Sequence, residues 1–378
     1  MHTSVSTAPF LVGLILWAST PSAAVAPSPY QPAKPLATAH ANEYRYLGRV
    51  NPSTRELTWP STGIAFKFTG TSASVPITNI TGTNAIDIFV DGTVTTIDNV
   101  SGSNISTPTV AHGLHTVQIR KKSEANFGSI FISSPVTSGT FHTITRPKKR
   151  MELIGDSITV GYGEDGVFPC VNTAALEDAP RTYGALTAQN ISADYSIVAW
   201  SGKGILRNYV TATGDDGQPT MPELWTRYGA NDPDNSYDYS YQPSIVVINL
   251  GTNDFSILAF YANGTAYVAR PIFNMTDYTN ALVQFGKKVE RKYPHAQLFL
   301  TTSPLLSDGY PPQDPTQHSS QLAAVTAAVA SLGNKAHVVN FPTQDQSNNN
   351  IGCDYHPSLL THEEMAVILT DAIQAVTG

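Results

Sequence analysis

The run Met151-Glu152-Leu153-Ile154 leads directly into Gly155-Asp156-Ser157-Ile158-Thr159. Ser157 therefore sits in the turn after an apolar strand, where its hydroxyl can face a crevice. A serine hydroxyl is a poor nucleophile at neutral pH and needs a base within hydrogen-bond reach, normally a histidine held by a third group. There are ten histidines to choose from. His2 and His40 fall in an N-terminal leader, His112, His115 and His142 in a β-rich stretch, and His295 and His318 in polar loops; His337 opens a strand. His362 stands in the first turn of the last helix, where a surface position is the easier reading. His356 lies in Gly352-Cys353-Asp354-Tyr355-His356-Pro357, in the loop after the last strand, with Asp354 two residues earlier and able to hold it through a local turn. Taken singly, each motif has a plainer use: a serine or aspartate satisfying backbone groups in a turn, or a hydrogen-bonded loop histidine. Nor is this a G-x-S-x-G elbow, because Thr159 stands two residues after Ser157.

Two further strand ends carry groups that can receive negative charge. Ser201-Gly202 follows one apolar strand and Gly251-Thr252-Asn253-Asp254 another. Backbone N–H groups and an Asn amide at such places can stabilise a tetrahedral oxyanion, each donor being worth about 10²- to 10³-fold in rate; the alternative for Gly-Thr-Asn-Asp is an Asx-type turn. No Cys/His/carboxylate cluster has zinc-ligand spacing, so Asp-x-His reads as catalytic and no metal is expected. No Gly-rich loop matches a phosphate cradle, and no cofactor is expected. Tyr162, Trp200, Phe255 and Tyr355 lie close to these motifs in sequence and could form an open stacking surface for a flat ligand face, with core packing the stronger reading for Trp200.

The elements that must position these groups fall into two grammars. From about Tyr44 to Ile132 the chain is short alternating runs broken by turns, such as Ile86 to Val90, Asp91-Gly92, then Thr93 to Ile97. Thr116 to Arg120 and Ser129 to Ile132 continue it, and an antiparallel, jelly-roll-like β-sandwich over residues 42–145 follows. Arg146-Pro147-Lys148-Lys149-Arg150 reads as a solvated linker. Beyond it, strands at Met151–Ile154, Tyr195–Ala199, Ile245–Leu250, Gln297–Thr301 and Ala336–Phe341 alternate with helices at Asp277–Lys292, Gln317–Leu332 and Thr361–Val376. Thr361 and Glu364 have capping-box spacing at that last start. The alternation predicts an α/β, doubly wound parallel sheet over residues 146–378, with ligands beyond the carboxyl ends of its strands.

The 378 residues suit two domains and a leader. Phe10 to Trp17 is too short to span a bilayer and precedes small residues, so residues 1–26 read as a signal peptide and 27–41 as a Pro-rich leader. A secreted, monomeric protein is expected, with no membrane partner. Sequons at Asn79, Asn99, Asn104, Asn190, Asn263 and Asn274 fit a glycosylated secretory product. Hydrophobic residues at 41% and charged residues at 13% describe a globular chain, and a net charge of -7 offers no footprint for nucleic acid. The only cysteines, Cys170 and Cys353, make one disulfide in an oxidising compartment; two buried thiols are the alternative.

Ser, Gly, Asn and Asp-x-His in this order, each at a strand end or in the last loop, resemble the SGNH (GDSL-type) hydrolases over roughly Glu152 to Gly378. That resemblance implies Ser157 as nucleophile, Ser157, Gly202 and Asn253 as the oxyanion hole, and Asp354 with His356 completing a triad. The run Gly155 to Gly163, Leu250 to Phe255, Gly352 to Ser358, and the preceding sandwich are similar to carbohydrate esterase family 2. Family members remove O-acetyl groups from plant-wall polysaccharides, acetylxylan and acetylated mannan above all, so an acetylated polysaccharide is the implied substrate. Some members lack the triad acid and use a Ser–His pair; the presence of Asp354 points here to a full triad. Tyr355 stands where Trp is frequent, which bears on substrate preference. A Cys170–Cys353 bridge would tie the two catalytic loops together and be worth roughly 4 to 5 kcal/mol at most by the chain-entropy model. The rivals are an SGNH esterase or thioesterase for longer acyl chains, and a non-catalytic glycan-binding protein.

Overall fold

Alternation of side chains decides the N-terminal half. In β2 (Gly63–Gly70) Phe66 and Phe68 point to one face, and Ile88 of β4 (Ile86–Val90), Val117 and Ile119 of β6 (Gly113–Lys121) line the same core. The computed structural model describes residues 35–211, 214–215, 219–261, 264–347 and 349–378. One antiparallel sheet runs β8-β2-β6-β4-β5, with β1 (Tyr44–Leu47) on β2, β5 being Thr93–Ile97 and β8 Thr140–His142. The other is built on β3 (Ala73–Gly82) and β7 (Gly128–Ile132), with Ala37–Thr38, Glu56–Leu57, Asn104–Ser106 and Val136–Thr137 as short flanking strands. Val75, Ile130 and Ile132 of this second sheet close the sandwich core. Ala37 and Thr38 pair with Thr137 and Val136, so the sandwich takes in residues that sequence alone had placed in the leader. The segment expected to be a signal peptide, residues 1–26, lies outside the described residues.

The second half is a parallel sheet in the order β10-β9-β11-β12-β13, with β9 Arg150–Gly155, β10 Asp194–Ala199, β11 Ile245–Asn249, β12 Gln297–Thr301 and β13 Ala336–Val339. Its strands are buried on both faces, which is why they read as apolar runs. Leu153, Ile197 and Val247 meet helices α2 (Tyr183–Asn190) and α6 (Leu359–Thr377) on one side. Ile154, Val198, Ile248 and Leu300 meet α4 (Met275–Lys292) and α5 (Gln317–Leu332) on the other. Order reverses between β10 and β11 around β9, and the turns after these three strands are α1 (Ser157–Val160), the 200–209 loop and α3 (Thr252–Phe255). Thr361 does not cap α6: Ser358 occupies that position, and Thr361, already inside the helix, donates its hydroxyl to Asn350 O of the preceding loop.

The two halves bury charge in one another. Arg49, after β1, places Nη2 3.2 Å from both oxygens of Glu152 in β9. Its Nη1 donates to Trp225 O at 2.5 Å and Arg227 O at 2.9 Å. Glu152 also accepts from Trp225 Nε1 at 2.7 Å and Tyr293 Oη at 3.3 Å. Trp59 of the sandwich packs into the same core as β9 and β11. Breaking a fully buried, multiply bonded pair leaves the remaining charge without compensation, at about 3–5 kcal/mol. Arg49→Ala is therefore expected to lower stability to urea by about that amount, with Arg49→Ala/Glu152→Gln recovering part of it.

Candidate active site

The turn after β9 is tight enough to start a helix at once. Asp156 caps it, its Oδ1 accepting the Ile158 N–H at 3.1 Å, and Ser157 is the first helical residue, 5% exposed. At the far end of the chain, residues 353–355 form a single 3-10 turn in which Asp354 and Tyr355 adopt left-handed backbone, φ 51° and 63°. This turn brings the His356 ring back to the turn that carries Ser157: Nε2 lies 2.8 Å from Ser157 Oγ. The Ser157 hydroxyl donates to Nε2 when Nδ1 carries the ring proton, and Nδ1 faces the Asp354 carbonyl oxygen at 3.2 Å. Burial pushes the imidazole down to about 4, against the Asp354 carbonyl and the negative charge of Asp354, which pull the other way.

Asp354 therefore holds His356 differently from the sequence expectation. Left-handed backbone aims its carbonyl at the ring, and its carboxylate turns out to accept the Tyr162 hydroxyl at 2.9 Å. Tyr162 in turn lies against the imidazole, centroids 4.2 Å apart, so it meets the histidine as a ring packed on its face. The loop is fixed by its backbone: Cys353 N–H donates to Gly163 O at 3.0 Å, Asp354 N–H to Cys170 O at 3.3 Å, and Gly352 N–H to His356 O at 2.7 Å. Cys170 and Cys353 are joined in a disulfide. Gly163 has φ +64°, and a Cβ there would press on Cys353, so the close approach requires glycine.

The Ser157 and Gly202 N–H groups donate to no protein acceptor among the described residues. Gly202 has left-handed backbone, φ +81°, and its carbonyl accepts Tyr209 N–H. Asn253 Nδ2 is oriented by Lys203 O at 2.9 Å and Asp156 Oδ2 at 3.2 Å, which pins it against the residue preceding Ser157. Two residues that the motif reading passed over do this fixing. Asp254 receives the N–H groups of Ile205, Leu206 and Arg207 at 2.9, 2.7 and 2.9 Å, tying the 200–209 loop to α3. Burial pushes its carboxyl up to about 6, and that of Asp156 up to about 7. Both lie inside the quoted motifs, so their position was in view although their task was not.

The four aromatic candidates separate. Tyr355 is 52% exposed and rests on Phe168, ring centroids 4.6 Å apart; Trp200 is half-buried, its indole N–H donating to Asn126 Oδ1 at 2.7 Å. Phe255 is 1% exposed and packs on Phe273 and Tyr278, so it belongs to the core and not to a stacking surface. The helical turn that places Asn253 directs its own apolar end inward. His362 is likewise not at the surface: Nδ1 accepts Tyr183 N–H at 3.2 Å, in a wholly buried position beneath α2. Asn79, Asn99, Asn104, Asn190 and Asn274 are exposed, and Asn263 lies outside the described residues. Among the described residues no helix is long and apolar enough to cross a membrane.

Residues 153–363 match the GDSL-like Lipase/Acylhydrolase family, and residues 46–143 match the Carbohydrate esterase 2 N-terminal family. The chain is 33% identical over 356 residues to the cellulase/esterase CelE of Acetivibrio thermocellus, covering 88% of this chain and 39% of that protein, so it spans about two fifths of that relative's length. It is 28% identical over 335 residues to an acetylxylan esterase / glucomannan deacetylase of Cellvibrio japonicus, covering 86% of this chain and 87% of that one. A solved carbohydrate esterase family 2 enzyme plus carbohydrate binding domain from Corynascus thermopiles (Myceliophthora fergusii) superposes with a TM-score of 0.82 at 49% identity, covering 88% of this chain and 99% of that one.

Because the carbonyl of residue 354 faces Nδ1, removing the carboxylate is expected to matter little to the serine. Labelling of Ser157 by a fluorophosphonate should slow by less than about tenfold in Asp354→Asn, against the roughly 10⁴-fold loss when a carboxylate-held histidine loses its acid.

Proposed function

The chain belongs to carbohydrate esterase family 2, among the GDSL-like lipases and acylhydrolases, and from that premise we propose that it removes O-acetyl groups from a plant-wall polysaccharide through an acetyl-enzyme. The observation that carries the reading is the 2.8 Å contact of His356 Nε2 with Ser157 Oγ, together with two backbone N–H groups that have no protein acceptor among the described residues. Ser157 Oγ attacks the acetyl carbonyl carbon as its proton passes to His356 Nε2. The Ser157 and Gly202 N–H groups take the charge on the carbonyl oxygen, and the Asn253 amide joins them by releasing its 3.2 Å bond to Asp156 Oδ2 while keeping the one to Lys203 O. Collapse of the adduct breaks the bond to the sugar oxygen, which leaves with the proton from His356. Water then attacks the acetyl-enzyme, giving its proton to His356, and acetate departs as Ser157 Oγ is reprotonated. The Asp354 carbonyl accepts the Nδ1 proton throughout and keeps the ring in one tautomer, so Ser157 and His356 work as a pair with a backbone orienter.

Substrate class is supported by the relative named as an acetylxylan esterase / glucomannan deacetylase and by the exposed Tyr355 ring beside the histidine. Rings at such a place stack on pyranose faces, and the small acyl group leaves the polysaccharide to make most of the contact. We extend the proposal to an extracellular setting: the apolar segment before residue 26, the exposed sequons and the disulfide all suit a secretory route. The domain limits 42–145 and 146–378 remain our division of the chain, with Ala37–Thr38 added to the first.

Acetate release from acetylated xylan and glucomannan by wild type and Ser157→Ala tests the mechanism. Wild type is expected to deacetylate at least one, and Ser157→Ala to fall by at least about 10⁴-fold; comparable release by both overturns it, and a preference for acyl chains beyond butyrate overturns the acetyl assignment. The base must be neutral to act, and burial holds the His356 proton affinity low, so protonation removes activity only below the folded value. The pH profile of kcat/KM is expected to place the acid limb that His356 sets near about 4, well below the ordinary histidine value of about 6.5.

A further inference from the structure

The β6–β7 connection of the sandwich, residues 122–127, lies against the strand end that carries Gly202. Glu124, 1% exposed, uses Oε2 to accept the Ser201 N–H at 2.8 Å. Its Oε1 accepts Asn126 Nδ2 at 3.2 Å, and Asn126 Oδ1 accepts the Trp200 indole N–H. The two residues before Gly202 are thus both held by one turn of the other domain. Glu124 N–H donates to Glu177 Oε2 at 2.6 Å, Glu177 Oε1 accepts Asn172 Nδ2 at 2.8 Å, and Asn172 Oδ1 accepts Gly163 N–H at 2.9 Å. Gly163 is the residue whose carbonyl holds the His356 loop at Cys353. An unbroken series of hydrogen bonds therefore runs from the Gly202 loop to the histidine loop, and it passes through the sandwich.

The turn is itself anchored from below. Lys121 is fully buried, and its Nζ donates to Ser123 O at 2.5 Å and Glu124 O at 2.9 Å. Burial pushes its ammonium down to about 7, while Glu177, Glu124 and Glu56 pull it up. A buried carboxylate costs free energy unless its oxygens are occupied, and here both are, by groups of the site loop and its own turn. We propose that Glu124 is a positioning residue for the oxyanion hole, so that the sandwich is a working part of the esterase site. The proposal rests on the reading of Ser157 and Gly202 given above. Donors aimed at a developing oxyanion lose effect steeply with displacement, about 10²-fold for an error near 1 Å.

The test uses the full chain with Glu124→Gln, Glu124→Asp and Glu124→Ala, and reads kcat and KM on p-nitrophenyl acetate, thermal midpoint, and inhibition by a methyl trifluoromethyl ketone, whose adduct with serine carries an oxyanion. Glu124→Ala is expected to lose about 10- to 100-fold in kcat with KM within about twofold, and to bind the ketone weaker by the same factor. Glu124→Gln keeps an acceptor for Ser201 N–H and should stay within about threefold of wild type, with Glu124→Asp between. Wild-type kcat in Ala and Asp, a loss confined to KM, or an equal loss in Gln and Ala overturns the proposal; if Ala does not fold, the Asp and Gln pair decides. Ser157→Ala separates the two readings: activity surviving there strikes the mechanism, whereas activity lost there but kept in the Glu124 variants strikes this proposal alone.

Discussion

A hydrogen bond between residues 199 apart in sequence requires two loops to be held together to within a few tenths of an ångström, and the meeting of Gly163 with Cys353 is that hold. One backbone bond, one side-chain bridge and the absence of a Cβ bring the main chains into contact. The serine side is rigid because Ser157 opens a helix seated on a buried strand. The histidine side has no such element; it is a short turn with two left-handed residues, which elementary sterics disfavour. Its geometry persists because neighbouring groups over-determine it: Gly352, Cys353 and Asp354 each spend a backbone N–H on a fixed partner.

Buried carboxylates recur around the site in a consistent use. Asp156 caps the helix that begins at Ser157, Asp254 gathers three consecutive N–H groups, and Glu177 receives the backbone of the sandwich turn. None of these relies mainly on a cation. Where strands of a parallel sheet end, the chain must turn sharply, and the N–H groups freed there need acceptors. A carboxylate offers several lone pairs from one side chain, so it organises a loop that a hydroxyl could not. Desolvation raises the proton affinity of all three, which is the physical cost of using acids as scaffolding.

Much of this was legible in the sequence because local pattern and global fold agree. Apolar runs marked the five parallel strands, with Gln297–Thr301 matching to the residue, and turn chemistry at Asp91-Gly92 set the hairpin of β4 and β5. Ser157 stood out by its place after an apolar strand and His356 by its place in the last loop with an acid two residues earlier, and the structure brings the two side chains to 2.8 Å. Side-chain direction carries no such mark. Phe255 sits one residue from Asp254 in a helical turn, and only packing decides that it faces inward. The Asp354 carboxylate was misjudged because the sign of φ at a non-glycine residue leaves no trace in composition. Glu124 and Asn126 were out of reach for another reason: they come from a domain whose sequence pattern speaks only of sandwich strands, and the residues they hold before Gly202, Ser201 and Trp200, are more than seventy residues away.

The carbonyl that orients His356 has an unusual property among functional groups: every amino acid supplies it. No codon change at position 354 can delete the atom, only alter the backbone that aims it. The acidic side chain is thereby relieved of orienting the imidazole, and drift at that position leaves the orienting atom in place so long as the left-handed turn survives. Relatives in which the acid has vanished would then be divergent, not defunct. An inventory of triads by residue type would discard them, and a search by the turn's shape would keep them.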